Sequence, residues 1–324
     1  MNMSRSGAVA AREGKTPHPS GAALTDRVPS YVLITPARNE VAYIENTLRS
    51  VIAQTTRPVR WVIVSDGSTD GTDELVKKYA APHDWIKLLR RPERKERHFA
   101  GKVAAFNAGY ATVRSLEYEV IGNLDADISF DDDYLAFLLR KFVENPGLGV
   151  AGTPFREGDG TGDYRFSIED VQGACQLFRR DCFETIGGYQ PLRSGGIDLV
   201  AALSARAKGW QTKIFTEKVC VHHRRSGSAL RAGMSASLHR GRMDYLLGSH
   251  PAWELCRSVY QMTNRPYVVG GAVTLLGYLW TMLRRAERPI AEELIDLRRR
   301  EQMQRLKRIL RRTRPSSVPL PQTR

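Results

Sequence analysis

The sequence predicts an α/β fold on an open, mainly parallel sheet, with a helical region appended on its C-terminal side. Three observations predict it. Over about 125 residues, short apolar runs alternate with stretches of helical periodicity, the pattern of strand–helix repeats. Polar clusters rich in Asp, Glu, Arg and Ser stand directly behind three of the apolar runs, and sheets of this kind bind ligands at the carboxyl ends of their strands. Beyond about residue 225 the alternation gives way to helical spacing alone.

The elements follow in order. Residues 1–29 are rich in Ser, Gly, Ala and Arg, hold no apolar run of signal-peptide length, and read as a flexible tail. A first unit, 30–225, opens with the apolar run 31–35, closed by Pro36 and read as a buried strand. Val41, Ile44, Leu48, Val51 and Ile52 then recur at helical spacing. A second strand at 61–65 runs into DGSTDGT at 66–72, whose residue types make turns and can cap the next helix. Third and fourth strands fit 86–89 and 120–124, and an edge strand fits 212–219. Asp131, Asp132 and Asp133 read as the cap of a helix carrying Tyr134, Leu138 and Phe142.

A helical extension is expected over 226–265, with one helix at 239–261. Residues 267–283, inside a segment taken as 266–285, are uncharged for 17 positions. That falls short of the roughly 20 needed to span a bilayer. Over 286–312, Ile290, Leu294, Leu297, Leu306 and Leu310 form an apolar stripe among arginines, as in a basic helix lying on a membrane surface. Residues 313–324 read as a second flexible tail.

With 42% hydrophobic and 26% charged residues among 324, a wholly disordered chain, a collagen-like repeat and a polytopic membrane protein are excluded. The formal charge of +14 implies an anionic partner. Its distribution selects among partners: from Arg284 onward 13 Lys/Arg face 5 Asp/Glu, so +8 lies in the last 41 residues. That tail has no interleaved aromatic-basic motif, so nucleic acid is not expected and an anionic membrane surface is. Cys175, Cys182, Cys220 and Cys256 have no paired short spacing, which indicates neither a zinc ribbon nor a disulfide framework and fits a reduced compartment.

The chemistry sits in the loops. Asp125 and Asp127 stand two residues apart at a strand end, where side chains i and i+2 share a face. Two such carboxylates repel, and Mg²⁺ or Mn²⁺ holding a diphosphate would relieve the repulsion. In the 66–72 loop, Asp66 can accept hydrogen bonds from a base or ribose, and Gly67 lets Ser68 and the backbone approach a ligand closely.

Taken together, five segments carry a resemblance: TPARNE (35–40), DGSTDGT (66–72), GKVAAFNAG (101–109), LDAD (124–127) and RRDCFETIGG (179–188). In this order, over about residues 30–225, they make the chain resemble a family 2 glycosyltransferase. The resemblance implies a GT-A fold, a Rossmann-like open mixed sheet, and an inverting transfer from a nucleotide-sugar donor. It implies that Pro36, Arg38 and Glu40 line the nucleotide pocket with Asp66 and Ser68. Lys102 and Asp125 are then expected near the ribose and diphosphate, and Asp127 as the main metal ligand.

Such a mechanism needs a general base for the acceptor hydroxyl. The family commonly places an acidic pair just before the helix after the acceptor region. Here Gly195 and Gly196 stand in that place, and Asp198 is the only nearby carboxylate and the expected base. In HHRR at 222–225, one histidine, His222, is expected as a further metal ligand. His223 and Arg224, or Arg225, are expected against the leaving phosphates.

The expected acceptor is a glycan or lipid-linked glycan. The expected place is the cytoplasmic face of the cell membrane, with 267–283 re-entrant or interfacial, because a single span would put the basic tail outside. Two other readings stand beside this one. A sugar nucleotidyltransferase would be expected to carry a Gly-rich basic loop where PARNE stands at 36–40. A catalytically inactive nucleotide-binding scaffold at the membrane is left open by Gly195 and Gly196.

Overall fold

The computed structural model describes residues 27–93, 99–157, 160–161, 169–224, 233–263 and 267–312. Residues 1–26 of the expected N-terminal tail, the tail at 313–324, and Arg225 lie outside these. The chain opens with β1 (Tyr31–Ala37), α1 (Ile44–Ile52), β2 (Arg60–Asp66), α2 (Thr72–Ala80), β3 (Ile86–Arg91), α3 (Phe99–Val113) and β4 (Val120–Leu124). β1 pairs in parallel with β2 on one side and with β4 on the other, and β2 pairs in parallel with β3. The strands were expected here within two residues at each end.

After β4 the chain forms β5 (Ile128–Ser129), α4 (Tyr134–Glu144), β6 (Leu148–Gly152), β7 (Phe155–Glu157), β8 (Gly160–Thr161), β9 (Cys175–Arg179), α5 (Arg180–Thr185) and α6 (Ile197–Ala207). β10 (Gln211–Ile214) and β11 (Cys220–His222) complete the strands. The main sheet has seven strands in the order β10-β6-β9-β4-β1-β2-β3, with β9 antiparallel between β4 and β6. The sheet is therefore mixed. A second, four-stranded sheet has the order β5-β11-β7-β8 and stands over the carboxyl end of β4.

Alternation along the strands gives the main sheet two buried faces. Val32, Ile34, Val62 and Val64 pack with Phe106 of α3, Phe183 of α5 and Leu203 of α6. Leu33, Trp61 and Ile63 pack the other way, with Leu48 of α1 and Leu139 of α4. α3 lies so close to the sheet that a Cβ at Gly109 would stand 2.8 Å from Ile34 Cγ2. Because the chain leaves β1 toward β2 and later returns past it to β4, the crevice beyond β1 and β4 is the topological switch point, where ligands bind.

The C-terminal region forms α7 (Gly233–Leu246), α8 (Pro251–Gln261), α9 (Val269–Leu283) and α10 (Glu292–Arg312). α9 packs between α7 and α8. The crossing is tight: a Cβ at Gly277 would lie 2.2 Å from the Leu238 carbonyl oxygen, and one at Gly241 would overlap the backbone of Thr274.

Four expectations need correction. The edge strand expected at 212–219 stops at Ile214, the end of β10; a turn follows, and β11 begins only at Cys220, in the other sheet. The helix at 239–261 is broken: Gly248 takes φ +76°, and Pro251 starts α8 behind His250, whose Nδ1 accepts from the Ala252 N–H at 3.1 Å. Asp133 makes no side-chain cap on α4; Gln54 Oε1, from the end of α1, accepts from the Leu135 N–H at 2.8 Å instead. Finally, much of the apolar stripe of α10 is consumed internally, because Ile290, Leu294 and Ile295 are buried in the same core as α6. Only Ile309 and Leu310, near its end, stand exposed.

Among the described residues no helix is long and apolar enough to cross a membrane. α9, at 15 residues, is about 22 Å long against a hydrocarbon core of about 30 Å.

Candidate active site

Two loops at the carboxyl ends of β1 and β2 are stitched together by their own polar residues. Asn39, at φ +56°, accepts from the Thr69 N–H through Oδ1 (2.9 Å) and donates its own N–H to Ser68 Oγ (3.1 Å). The Glu40 N–H donates to Thr72 Oγ1 at 2.8 Å. Asp66 is buried and paired with Arg91 at 2.7 Å. Gly67, at φ +71°, passes so close to the next segment that a Cβ would stand 2.4 Å from Glu93 Cα. Pro36, Arg38, Glu40, Asp66 and Ser68 thus share one shelf beyond β1 and β2.

Beside the shelf lies a cavity of about 350 Å³, lined by Lys102, Asp125, Gln172, Tyr189, Asp198 and His222 among others. Lys102, in the first turn of α3, forms an ion pair with Asp125. Asp198 stands in the first turn of α6, and its Oδ2 accepts from the Gly173 N–H at 3.0 Å, which fixes the carboxylate. The glycine pair before it has a structural reason. Gly195 and Gly196 adopt φ +107° and +80°, and a Cβ at Gly196 would stand 2.5 Å from Leu247 Cδ1. Side chains there would be strained by both the dihedral and the contact.

β11 brings the HHRR segment to the aspartates by pairing His222 with Ile128. His222 Nε2 lies 3.3 Å from Asp127 Oδ1, and its Nδ1 lies 3.2 Å from Glu157 Oε1. Ligand atoms of Asp125, Asp127 and His222 all fall within 4.8 Å of one another. Arg224 pairs with Glu40 and places Nε 3.6 Å from Asp127 Oδ2, joining cavity to shelf. His223 goes elsewhere: it is exposed, and its Nε2 meets Ser129 Oγ at 2.8 Å. Of the expected residues that are described, His223 alone turns away from both cavity and shelf, and Arg225 lies outside the described residues.

The charges respond to each other. Burial pushes the Asp125 carboxyl up, helped by Asp127, and Lys102 opposes without reversing it. Burial would raise Asp127 too, but the hydrogen bond and charge of His222, with Arg224 and Lys102, hold it below the usual carboxylate range. For His222, burial would lower the imidazole, and Asp127 outweighs it so that the pKa rises. Lys102 likewise resists burial and is raised, through Asp125. Two carboxylates and an imidazole so gathered are a donor set that suits a divalent cation.

Four residues at the site were not anticipated. Asn123 precedes the Asp125 strand end by two positions, so strand alternation alone puts it on the same face. Its Oδ1 and Gln172 Oε1 are both buried without a hydrogen-bond partner among the described residues. Tyr189 reaches the cavity with its hydroxyl donating to Gln176 Oε1 at 2.7 Å. Glu157 orients His222, and no local pattern marks it.

Comparison with known proteins bears on this arrangement. The family described as glycosyl transferase family 2 matches residues 32–196. The poly-beta-1,6-N-acetyl-D-glucosamine synthase of Staphylococcus aureus strain COL is 31% identical over 185 residues, 56% of this chain and 42% of that protein. The synthase of the same name from Staphylococcus epidermidis is 32% identical over 117 residues, 36% of this chain and 26% of that one. The chain thus spans less than half the length of these curated relatives.

Among solved structures, the mannosyltransferase PcManGT from Pyrobaculum calidifontis, in complex with GDP-Man and Mn²⁺, superposes with a TM-score of 0.55 at 18% identity, over 93% of this chain and 85% of that one. S. aureus TarS 1–349, in complex with UDP-GlcNAc, gives 0.50 at 16% identity, over 79% of this chain and 73% of that one. At these identities the likeness is one of fold, and the fold is of the GT-A type.

Proposed function

The chain belongs to glycosyl transferase family 2, and from that premise we propose that it moves a sugar from a nucleoside diphosphate donor to a hydroxyl of a glycan or lipid-linked acceptor, with inversion. One observation carries the reading. Lys102, Asp125, His222 and Asp198 line a single cavity beyond the switch point of the sheet. The nucleoside lies on the shelf of Pro36, Arg38, Glu40, Asp66 and Ser68, and the sugar enters the cavity. Hydroxyl donors of a sugar would satisfy the buried acceptors Asn123 Oδ1 and Gln172 Oε1, which in a native protein call for partners.

Asp198 takes the proton of the acceptor hydroxyl as that oxygen bonds to the anomeric carbon, while the bond from carbon to phosphate oxygen breaks and the nucleoside diphosphate leaves. Lys102 and Arg224 offset the charge that grows on the leaving group. Asp125, Asp127 and His222 would hold Mg²⁺ or Mn²⁺, and the imidazole tips the set toward Mn²⁺ because Mg²⁺ prefers oxygen ligands. Such an ion supplies positive charge to the diphosphate. We place the reaction at the cytoplasmic face of the cell membrane, a reading supported by the +14 charge and by Leu276, Trp280 and Leu283, which α9 exposes.

The test is thermal stabilisation of the full chain by a panel of nucleoside diphosphates, with Mn²⁺, Mg²⁺ or EDTA. At about 100 times Kd, mass action adds about 2.7 kcal/mol, several degrees in Tm. One nucleotide is expected to give a metal-dependent shift that vanishes in Asp127→Ala, whose transfer rate falls by about 10³-fold or more. No shift from any nucleotide with the protein folded would refute the donor site.

A further inference from the structure

α9 is amphipathic in the wrong sense for a water-soluble helix. Its buried side holds Gly271, Thr274, Gly277, Tyr278 and Thr281, all small or polar. Thr274 and Thr281 return their hydroxyls to the carbonyls of Gly270 and Gly277 at 2.9 and 2.7 Å, and the Tyr278 hydroxyl donates to the Ser249 carbonyl at 2.7 Å. Its outer side holds Leu276, Leu279, Trp280 and Leu283, exposed by 57, 38, 54 and 74%. On α8, which packs against it, Leu255 and Val259 are also half exposed. Small residues between helices and large apolar ones outside are how helices pack in lipid, and soluble proteins rarely expose a patch of this kind without a use for it.

We propose that α7–α9 form a docking face that lies in the plane of an anionic bilayer, the outer side of α9 in the acyl boundary and its arginines among the head groups. This rests on the membrane-side placement above and names the surface that makes it. Charge complementarity argues for the lipid. Arg284 stacks over the Trp280 ring at 4.5 Å, and Arg242 and Arg285 stand exposed beside the same helices. A tryptophan with a cation stacked on its face suits a membrane interface. The length of α9 fits lying in the plane, since about 22 Å does not span. A second copy fits worse, because apposing the same face would set Arg242, Arg284 and Arg285 against their own copies.

The experiment is co-sedimentation of the full chain with vesicles of phosphatidylcholine, with or without 30% phosphatidylglycerol. The variant is Leu276→Ser/Leu279→Ser/Leu283→Ser, which changes no charge. The wild type is expected to sediment with the anionic vesicles. The variant's partitioning should fall at least tenfold, with its Tm and nucleotide response unchanged. Brominated lipid should quench tryptophan emission in the wild type, and most of that quenching should disappear in Trp280→Phe. Equal sedimentation of the variant would overturn the proposal, since charge alone would then suffice, and so would quenching indifferent to Trp280. So would a lipid-free dimer, seen by ultracentrifugation, that the triple variant dissolves. The nucleotide response is read separately, so failure of the donor site and failure of the docking face cannot be confused.

Discussion

The two halves of this molecule bury opposite things. In the α/β half, strands bury Val, Ile, Leu and Trp on both faces and leave Asp, Arg and Ser to the loops at their ends. Around α9 the buried side is Gly, Thr and Tyr, with a small apolar cluster of Tyr245, Leu246 and Tyr278 and a charged cluster beside it, while Leu276, Leu279, Trp280 and Leu283 face outward. Burial of apolar area explains the first half. It explains less of the second, where the apolar cluster of Tyr245, Leu246 and Tyr278 is small and close backbone approach and internal hydrogen bonds join it. The halves meet at the site: Leu247, in the turn between α7 and α8, packs on Gly196 just before Asp198.

The sharpest division between the halves is chemical, and Asp198 tests it. Asp198→Asn keeps the size of the side chain and can still accept from the Gly173 N–H, but it cannot take a proton. Transfer is expected to fall by about 10³-fold, within the range for losing a general base. Nucleotide-induced stabilisation and vesicle binding should stay as in the wild type. If the variant retains most of its activity, the base is elsewhere, and the contact of Leu247 with Gly196 has no part in placing it.

A smaller effect tests the packing of the helical half. Gly277→Leu forces a side chain onto the Leu238 carbonyl, so α7 and α9 must separate. Overpacking of this kind costs about 2–3 kcal/mol, which calorimetry would read as a fall in Tm of roughly 3–5 °C. Vesicle binding should weaken with it, whereas the nucleotide response, seated in the sheet, should survive. A Tm unchanged by Gly277→Leu would mean that the close crossing of the two helices contributes little.

The halves also differed in how far the sequence could be read. β1 to β4 were legible because each is a short apolar run ended by Pro, Asp or Gly, and because parallel strands buried on both faces show as such runs. Most of the expected site residues followed, since they stand at those strand ends. The antiparallel insertion of β9 was not legible, because strand order depends on partners far along the chain. The strands of the second sheet are two or three residues long, below any periodic signal. Its pairing of His222 with Ile128 is what chooses His222 over His223 as the neighbour of Asp127. In the helical half, an uncharged run marked α9 and helical periodicity marked α10, but neither says which way the apolar positions face. Leu294 and Leu276 look alike in sequence, yet one fills the core and the other stands exposed.

Comparable in size, and particular to the helical half, is a pH dependence. Glu254 is fully buried, its pKa pushed up to about 7 by burial and then by Asp244, while Arg257 and Arg298 oppose the shift. Arg240 also faces this cluster, and Ser258 lies 3.5 Å from the carboxylate. In the unfolded chain a glutamate titrates near 4.3. Between that value and about 7 the folded state therefore holds a proton that the unfolded state has lost, and stability falls as pH rises through this window. Glu254→Gln replaces the carboxyl with a neutral group of the same shape. The fall in Tm from pH 5 to pH 7.5 should be shallower in the variant than in the wild type, the difference between the two curves isolating Glu254 from the histidines. Parallel curves would mean that Glu254 stays ionised throughout, held by Arg257 and Arg298, and that the interior of the helical half is an ordinary set of ion pairs.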